Sequence, residues 1–216
     1  MSETYEALLA HLANAIATLH PDRRIRVAID GVDGAGKTVL ADALAPLVIA
    51  KGRQVIRASV DDFHHPRAVR YARGRYSPDG FFLDSYDYPA FRRLLLDPLG
   101  HAGSGNYIAK HFDHRTDRPV APRPQQSSSA AALIVDGIFL HRPELRACWD
   151  LSIFLQVDFA VSRERNARRD GTPDVLNPDT PFSQRYTGRP AQRADIVIDY
   201  NDLHAPAVVK WKPNAD

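Results

Sequence analysis

Apolar positions in the first thirty residues follow two different periods, and each period predicts a different element. Between residues 4 and 19 they recur at 8, 9, 12, 16 and 19, the spacing of one helix face, with Thr4 and Ser2 available as N-caps. Residues 25–30 (Ile-Arg-Val-Ala-Ile-Asp) instead alternate and are rich in β-branched side chains. A helix followed by a strand is therefore predicted.

Further apolar runs predict four more strands, at residues 54–60, 132–139, 151–157 and 195–200. Helical patterns stand between these runs, at residues 39–45, 88–96 and 159–169. Because Pro46 lacks a backbone donor and crowds the preceding turn, we expect the first of these helices to kink or end near Ala45. Strands that alternate with helices are typical of an α/β fold, here a five-stranded parallel sheet with helices on both faces.

Polar segments interrupt this alternation in the middle of the chain. Residues 64–86 are rich in Arg, Tyr, Pro, Gly and Asp and show no clear period, which indicates an ordered excursion. Two alternating stretches within residues 100–120 predict a small hairpin, and residues 121–130 form a polar linker. We interpret residues 1–216 as one domain, because this length suits a single globular core.

Composition excludes several classes of protein. No apolar run approaches the roughly 18 residues that a membrane span needs, and a net charge of +2 gives no indication of nucleic-acid binding. Residues 1–10 contain two glutamates and no basic cluster, which argues against a secretory signal. Because Cys148 is the single cysteine, no intramolecular disulfide can form, and we predict a cytoplasmic protein. A homo-oligomer stays open.

The segment after the first strand carries the clearest chemical signal. Residues 31–38 (Gly-Val-Asp-Gly-Ala-Gly-Lys-Thr) match G-x-x-x-x-G-K-[ST] between a strand and a helix, where a chance Gly-rich turn is the alternative. We expect the glycines at 31, 34 and 36 to take positive φ, so that backbone N–H groups converge on phosphates. Lys37 then reaches the β and γ oxygens, and the Thr38 hydroxyl binds Mg²⁺. The predicted nucleotide-binding residues are Gly31, Asp33, Gly34, Ala35, Gly36, Lys37, Thr38 and Val39.

Three carboxylates stand within or directly after predicted strands. Asp136 ends an apolar run and precedes a glycine, the setting of an acid that orients Mg²⁺; capping the next turn is the alternative. Asp61 and Asp62 end the second strand, where neighbouring side chains face opposite ways, so that only one can face a γ-phosphate. That carboxylate could accept the proton of an attacking hydroxyl, whereas turn capping is the alternative, above all for Asp62.

Basic and aromatic side chains cluster on both sides of these carboxylates. Arg163, Arg165, Arg168 and Arg169 share one predicted helix, where they form either a lid over a nucleotide or a solvated face. The histidines at 64–65 and 111–114 indicate structural or substrate-facing roles rather than a metal site. Aromatic residues form either core or a pocket for a planar acceptor, and they are Tyr71, Tyr76, Phe81, Phe82, Tyr86 and Tyr88.

Four segments in this order resemble the uridine kinase family of P-loop kinases. They are the phosphate loop, residues 59–64 (Ser-Val-Asp-Asp-Phe-His), residues 135–138 (Val-Asp-Gly-Ile), and the Arg-rich helix followed by residues 194–198. The likeness spans residues 24–200 and implies a three-layer P-loop NTPase fold. By this resemblance Asp61 is the catalytic base, Asp136 the acidic Mg²⁺ residue, and Arg165 and Arg169 belong to a lid at about 159–190.

The same resemblance assigns an acceptor site to residues 64–120. Residues 78–84 look like the family's acceptor-binding stretch, with Asp84 a candidate for ribose hydroxyls, and Tyr86 and His114 are further substrate candidates. Residues 107–114 resemble its hairpin that contacts the base. The chain departs from the family's usual Glu near position 136, and its hairpin aligns equally on Phe112, His114 or Asp117.

The expected function is a transfer of the γ-phosphoryl group of ATP, with Mg²⁺, to a hydroxyl of a small molecule. Uridine or cytidine is the leading acceptor, with pantothenate, a sugar or glycerate as alternatives, and the preference for ATP over GTP stays open. Two non-catalytic alternatives are a GTP-dependent switch and a silent nucleotide-binding protein. None of the five lysines belongs to an [NT]-K-x-D element, which disfavours the switch.

Overall fold

A mixed sheet with helices packed against it forms the core of the protein, and the computed structural model describes residues 4–170 and 190–213 of it. The strands are β1 (Ile25–Gly31), β2 (Val55–Ser59), β3 (Asn106–Tyr107), β4 (Phe112–Asp113), β5 (Arg118–Pro119), β6 (Gln125–Gln126), β7 (Ala132–Gly137), β8 (Leu151–Gln156), β9 (Ile196–Asp199) and β10 (Ala207–Trp211). The helices are α1 (Tyr5–Thr18), α2 (Lys37–Ala50), α3 (Arg67–Arg70), α4 (Pro78–Asp84), α5 (Tyr88–Phe91), α6 (Phe159–Asp170) and α7 (Pro190–Arg193). A π-helical segment covers Arg92–Leu96, and 3₁₀ turns cover Val60–Phe63 and Arg146–Cys148.

The large sheet has the strand order β10-β9-β8-β1-β7-β2. Five of its strands pair in parallel, namely β1, β2, β7, β8 and β9, which confirms the predicted α/β fold. The prediction missed β10, which adds an antiparallel edge strand with a register shift between Val208 and Lys210. This strand reads Ala-Val-Val-Lys-Trp and is half exposed, with Val209 61% and Trp211 40% accessible, as a strand at a sheet edge is, unlike the buried parallel strands.

The two central strands are buried on both faces. Every residue of β7 is buried, and so is every residue of β1 except Arg26. Only Asp30 and Asp136 place carboxylates in this interior, and both stand at the carboxyl ends of their strands. In a parallel sheet this edge is where ligands bind, so the two acids indicate the location of the site.

Helix α2 continues through Pro46 and ends at Ala50. Of the predicted kink or end near Ala45, the end is therefore wrong. Pro46 and Asp42 both lie on the exposed face of the helix, where water can solvate the Asp42 carbonyl that lost its donor. Buried Leu44 and Val48 hold the opposite face against the sheet. Packing therefore outweighs the local cost of the proline.

The second strand ends at Ser59, one residue earlier than predicted, and the chain turns into the 3₁₀ segment. The Ser59 hydroxyl caps this turn by accepting the Asp61 N–H at 3.3 Å. Asp61 and Asp62 therefore lie on a turn rather than on a strand. The apolar run at 132–139 likewise leaves the strand at Gly137, and Phe139 adopts a left-handed φ of 67°.

The excursion after the turn folds back onto the same sheet edge. Its hairpin pairs β4 with β5, as the alternating pattern predicted, whereas β3 pairs with β6 inside the stretch expected to be a linker. The His111 N–H donates to the Asp62 carbonyl at 3.0 Å, and the Asp87 N–H donates to the Phe63 carbonyl at 2.8 Å. These bonds dock the excursion beside the ends of the central strands.

Helix α1 lies against α2 and begins at its predicted cap, where the Thr4 hydroxyl accepts the Ala7 N–H at 3.2 Å. Within residues 4–170 and 190–213, no helix is both long and apolar enough to cross a membrane. A buried arginine, Arg53, closes the other end of α1. Its guanidinium donates to the main-chain carbonyls of Ile16, Ala17, Leu19, His20, Arg23 and Ala130.

Replacing Arg53 by alanine is expected to lower the free energy of unfolding by about 3 kcal/mol, because several buried carbonyls lose their donor. Urea unfolding followed by circular dichroism measures this change. Lys51→Ala, which removes an exposed cation two residues away, is the matched control and is expected to cost less than about 0.5 kcal/mol. Equal stability of the Arg53→Ala protein and the parent would contradict the capping role.

Candidate active site

A cavity of about 350 Å³ opens at the carboxyl edge of the central strands. It collects residues from the phosphate loop, the 3₁₀ turn, the end of β7 and helix α6. The lining residues are Asp33, Gly34, Gly36, Lys37, Thr38, Val39, Asp61, Asp136, Gly137, Ile138, Arg165 and Asn166. Six of the eight predicted nucleotide-binding residues thus face one space, and Gly31 and Ala35 lie behind it.

The phosphate loop has the left-handed backbone that its glycines permit. Gly34 has φ 71° and Gly36 has φ 92°, and Gly36 is the N-cap of α2. The expectation of positive φ at Gly31 is wrong; that glycine allows a close approach instead, because a Cβ there would lie 2.9 Å from the Leu155 carbonyl oxygen. The N–H groups of this loop and of the first turn of α2 form a cradle for an anion.

Helix α6 packs directly onto the loop. A Cβ at Gly34 would lie 2.7 Å from the Ser162 carbonyl oxygen and 2.8 Å from Asn166 Oδ1. The Ser162 hydroxyl donates to the Asp33 carbonyl, which fixes the helix to the loop. Gly34 is therefore required both for its backbone conformation and for lack of space.

Lys37 and Thr38 begin helix α2 and carry the polar groups of the loop. The Lys37 ammonium donates to the Val32 carbonyl at 2.8 Å, which folds its side chain back over the loop. The Thr38 hydroxyl donates to Asp136 Oδ2 at 2.6 Å, and Arg57 Nη2 donates to Asp136 Oδ1 at 2.9 Å. The buried carboxylate thus has a partner on each oxygen, which offsets its cost of burial.

The side-chain oxygen atoms of Thr38 and Asp136 are the type of ligand that Mg²⁺ prefers. Hard cations prefer oxygen ligands, and Mg²⁺ in phosphate-transfer sites takes one or two protein groups together with substrate phosphates. The described parts of the chain contain no group of three or more His, Cys, Asp or Glu side chains that could hold a metal ion. A cation at Thr38 and Asp136 would therefore depend on the phosphates of a nucleotide.

Asp61 and Asp62 have separate surroundings. The Tyr86 hydroxyl donates to Asp61 Oδ1 at 3.0 Å, and Asp61 lines the cavity. Burial, and then the Asp61 carboxylate, raise the pKa of Tyr86 well above its ordinary value, so this phenol remains a donor. Asp62 instead forms an ion pair with Lys110 at 2.9 Å and does not line the cavity.

Two histidines stand behind Asp61. Burial lowers the pKa of His64, which keeps the ring neutral, and its Nδ1 lies 2.8 Å from the Asp61 carbonyl oxygen that accepts its proton. The rings of His64 and His114 lie 4.8 Å apart, and the rings of His64 and Tyr86 lie 4.4 Å apart. Tyr86 and His114, two predicted substrate residues, therefore support the segment that carries Asp61.

The arginines of α6 divide between the cavity and solvent. Arg165 lines the cavity, and its Nη2 donates to the carbonyls of Tyr200 and Asn201 at 2.9 and 2.8 Å. Its Nη1 is buried and has no hydrogen-bond partner among residues 4–170 and 190–213. Arg168 is exposed and pairs with Glu164. The Arg169 side chain and residues 171–189 of the predicted lid lie outside the described residues.

A second cavity, of about 240 Å³, adjoins the first and shares Asp33 with it. We call it the excursion cavity, and it is lined by Asp33, His64, Arg70, Tyr71, Arg75, Tyr76, Ser77, Pro78, Phe81 and Ser85. Asp84 is ion-paired with Arg73 at 2.8 Å and is not among the lining residues. Phe81 and Phe82 pack edge-on against the strained Phe139, with ring centres 5.5 and 5.0 Å away, which fixes α4 to the end of β7.

Sequence reasoning missed several residues of the site. Arg57 binds Asp136, and Asn166 lines the cavity beside Arg165. Asp30 is fully buried; it accepts the Gly31 N–H at 2.7 Å and the His141 N–H at 2.9 Å, and His141 Nδ1 lies 2.7 Å from it. Charged residues inside the apolar runs of β1 and β2 were the available signal for Asp30 and Arg57.

Comparison with known proteins places this geometry among kinases. No family model matches the chain. It is 28% identical over 155 residues to the "Probable thymidylate kinase" of Thermoplasma volcanium. The matched region covers 68% of this chain and 73% of that relative. The structure of a "Possible Uridine Kinase" from Bacillus stearothermophilus matches with a TM-score of 0.71 and 24% identity, over 90% of this chain and 98% of the other.

A further solved structure, the "putative fructose transport system kinase" from Silicibacter sp. TM1040, matches with a TM-score of 0.61 and 27% identity, over 82% of this chain and 87% of the other. The fold is therefore the P-loop NTPase fold of kinases. The resemblance to uridine kinase-like P-loop kinases that the motifs indicated is confirmed at this level.

Gly34→Ala is expected to weaken ATP binding at least tenfold, because its Cβ would push α6 off the phosphate loop. Titration calorimetry with Mg²⁺ and ATP measures the affinity. Gly52→Ala is the matched control, since Gly52 also has positive φ, 86°, but its Cβ would meet nothing within 4 Å. Both variants place a side chain at a positive φ, so an equal loss of affinity in the two would contradict the role of the loop–helix contact.

Proposed function

We propose that this protein is a kinase that transfers the γ-phosphoryl group of ATP to a hydroxyl of a small molecule. One observation carries the proposal: the phosphate loop and the accessible Asp61 carboxylate line the same cavity, and a second cavity adjoins it. The kinase folds of the structural neighbours support it. A switch or a silent binding protein would need the phosphate loop but not the carboxylate.

The phosphate loop positions the donor. Its N–H groups and the Lys37 ammonium are suited to the β- and γ-phosphates, once Lys37 exchanges the Val32 carbonyl for phosphate oxygens. Thr38 and Asp136 would hold Mg²⁺, which when bound neutralises charge on the phosphates. Arg165 is anchored by two carbonyls and keeps one nitrogen for the transferring group.

Asp61 is our candidate for the catalytic base. The oxygen of the acceptor hydroxyl forms a bond to the γ-phosphorus, the bond from that phosphorus to the β–γ bridging oxygen breaks, and ADP leaves with the electron pair. The hydroxyl proton passes to the Asp61 carboxylate. The Tyr86 hydroxyl holds this carboxylate from behind, so that its other oxygen remains for the acceptor.

The acceptor follows less directly from the fold. The motifs resemble uridine kinases, which makes uridine or cytidine, converted to the 5′-monophosphate, the first acceptor to test. The names of the relatives above differ: they mention uridine, a fructose transport system and, in the sequence relative, thymidylate. Pantothenate, other sugars and glycerate therefore belong in the same assay.

A panel of these alcohols with Mg²⁺ and either ATP or GTP, scored by release of the nucleoside diphosphate, tests the proposal. We expect one class of alcohol to raise the rate well above the rate with water alone. Binding of Mg²⁺ and ATP without stimulation by any alcohol would favour the silent nucleotide-binding protein.

Asp61→Asn is expected to lower kcat by about 10²–10⁴-fold, because the base is lost, while the affinity for ATP stays close to that of the parent. Asp62→Asn is the control: it removes the neighbouring carboxylate, whose partner is Lys110 outside the cavity, and we expect kcat within about twofold. Initial rates at saturating ATP measure both. Equal losses in the two variants would mean that the turn, and not the Asp61 carboxylate, matters.

A further inference from the structure

The excursion cavity has a cationic side that the resemblance did not suggest. Arg70 and Arg75 line it together with the rings of Tyr71 and Tyr76. All of these stand on the segment from α3 to the start of α4. A guanidinium is a planar fork of donors and suits phosphate and carboxylate groups.

Arg70 is held in place by one ion pair, but one of its hydrogen-bond donors has no acceptor. Its Nη2 donates to Asp117 Oδ1 at 3.2 Å, and its side chain is only 10% exposed. Its Nε is buried and has no hydrogen-bond partner in the described parts of the chain. A buried donor without a partner is costly, and an oxyanion in the cavity would supply the missing acceptor.

In the described part of the chain, Arg75 has no carboxylate partner. Its guanidinium lies 5.9 Å from the ring centre of Tyr71 and 5.8 Å from that of Tyr76. Among residues 4–170 and 190–213 it has no ion pair and no hydrogen bond, although the surrounding arginines Arg70 and Arg73 each have an aspartate. The rings thus hold a cation at the cavity without neutralising it.

The carboxylates that bind the neighbouring arginines are not paired with Arg75. Asp117 already binds Arg70, and Asp84, the candidate for ribose hydroxyls, binds Arg73. Asp33 lines both the excursion cavity and the cavity at the phosphate loop, so it marks the side of the excursion cavity that is nearest to that loop. His64 is neutral because burial lowers its pKa. The cavity therefore has an acidic end at the phosphate loop and a cationic end at Arg75.

We infer that the acceptor is an alcohol that already carries an oxyanion, a phosphate monoester or a carboxylate, which binds to Arg75 and Arg70. This inference rests on the proposed kinase function and refines its acceptor. The hydroxyl of such a molecule faces Asp61, and its anionic group lies at the far end of the excursion cavity. An uncharged nucleoside brings no oxyanion that could accept hydrogen bonds from the guanidinium donors of Arg75 and Arg70 at this end of the cavity.

Matched pairs of alcohols test the charge requirement. Pantothenol with pantothenate and glycerol with glycerate differ by a carboxylate, and ribulose with ribulose 5-phosphate differs by a phosphate; uridine is added as a neutral nucleoside. Initial rates with Mg²⁺ and ATP give kcat and KM for each compound. We expect the charged member of at least one pair to have a kcat/KM at least a hundredfold above its neutral partner, and the pair that responds distinguishes carboxylate from phosphate.

The Arg75→Gln variant connects this preference to the cavity. We expect it to raise KM for the anionic acceptor about tenfold to a hundredfold, as for loss of a charge-assisted hydrogen bond, with kcat and the KM for ATP within about twofold. Arg75→Lys keeps the positive charge but loses the forked guanidinium, so its KM for the anionic acceptor is expected to lie between those of the parent and of Arg75→Gln. Arg93→Gln, which removes an exposed arginine that lines neither cavity, is the control and is expected to change nothing.

The outcomes separate this inference from the proposed function. Phosphorylation of uridine or of the neutral alcohols at rates equal to those of the charged ones, or an unchanged KM in Arg75→Gln, overturns the anionic acceptor and leaves the kinase intact. Binding of ATP with no phosphorylation of any compound overturns the kinase, and the acceptor assignment with it. Calorimetric binding of the preferred acceptor to the parent and to Arg75→Gln, without turnover, provides the same comparison independently of catalysis.

Discussion

Two buried carboxylates fix the phosphate loop at both of its ends. At its start Asp30 accepts the Gly31 N–H, and at its end Asp136 accepts the Thr38 hydroxyl. Each acid also binds a second element, Asp30 the His141 segment after β7 and Asp136 the Arg57 side chain of β2. A carboxylate without such partners would cost several kcal/mol in this interior, so the loop and its supports stabilise each other.

The same constraint determines where the two cavities meet. Because β1, β7 and β2 are adjacent in the sheet, the ends of these strands bring the phosphate loop, Asp136 and the turn with Asp61 to one edge. Helix α6 covers the loop through Gly34, and the excursion covers the opposite side. The phosphate loop and the excursion cavity are thus carried by different segments at one sheet edge, and under the proposed function the segment that binds the acceptor could differ between kinases of the same fold.

The sequence predicts most of this arrangement wherever a feature depends on neighbouring residues alone. The phosphate loop, the five parallel strands and the N-cap of α1 each have a local signature. The missed features depend on tertiary contacts. Pro46 stays inside α2 because the opposite face is buried, and β10 is a half-exposed edge strand that forms by antiparallel pairing with β9. Similarly, Arg57 reaches Asp136 only because β2 and β7 are neighbours, which local periodicity does not reveal.

The anchoring of Arg165 shows how a side chain can be oriented without a specific partner residue. Both acceptors of its Nη2 are main-chain carbonyls, of Tyr200 and Asn201, where the chain leaves β9. Nearly every amino acid presents the same carbonyl at these positions, so the path of the backbone, rather than the identity of two residues, sets the direction of the guanidinium. Mutational drift after β9 can therefore change the side chains there and leave the arginine in place at the cavity.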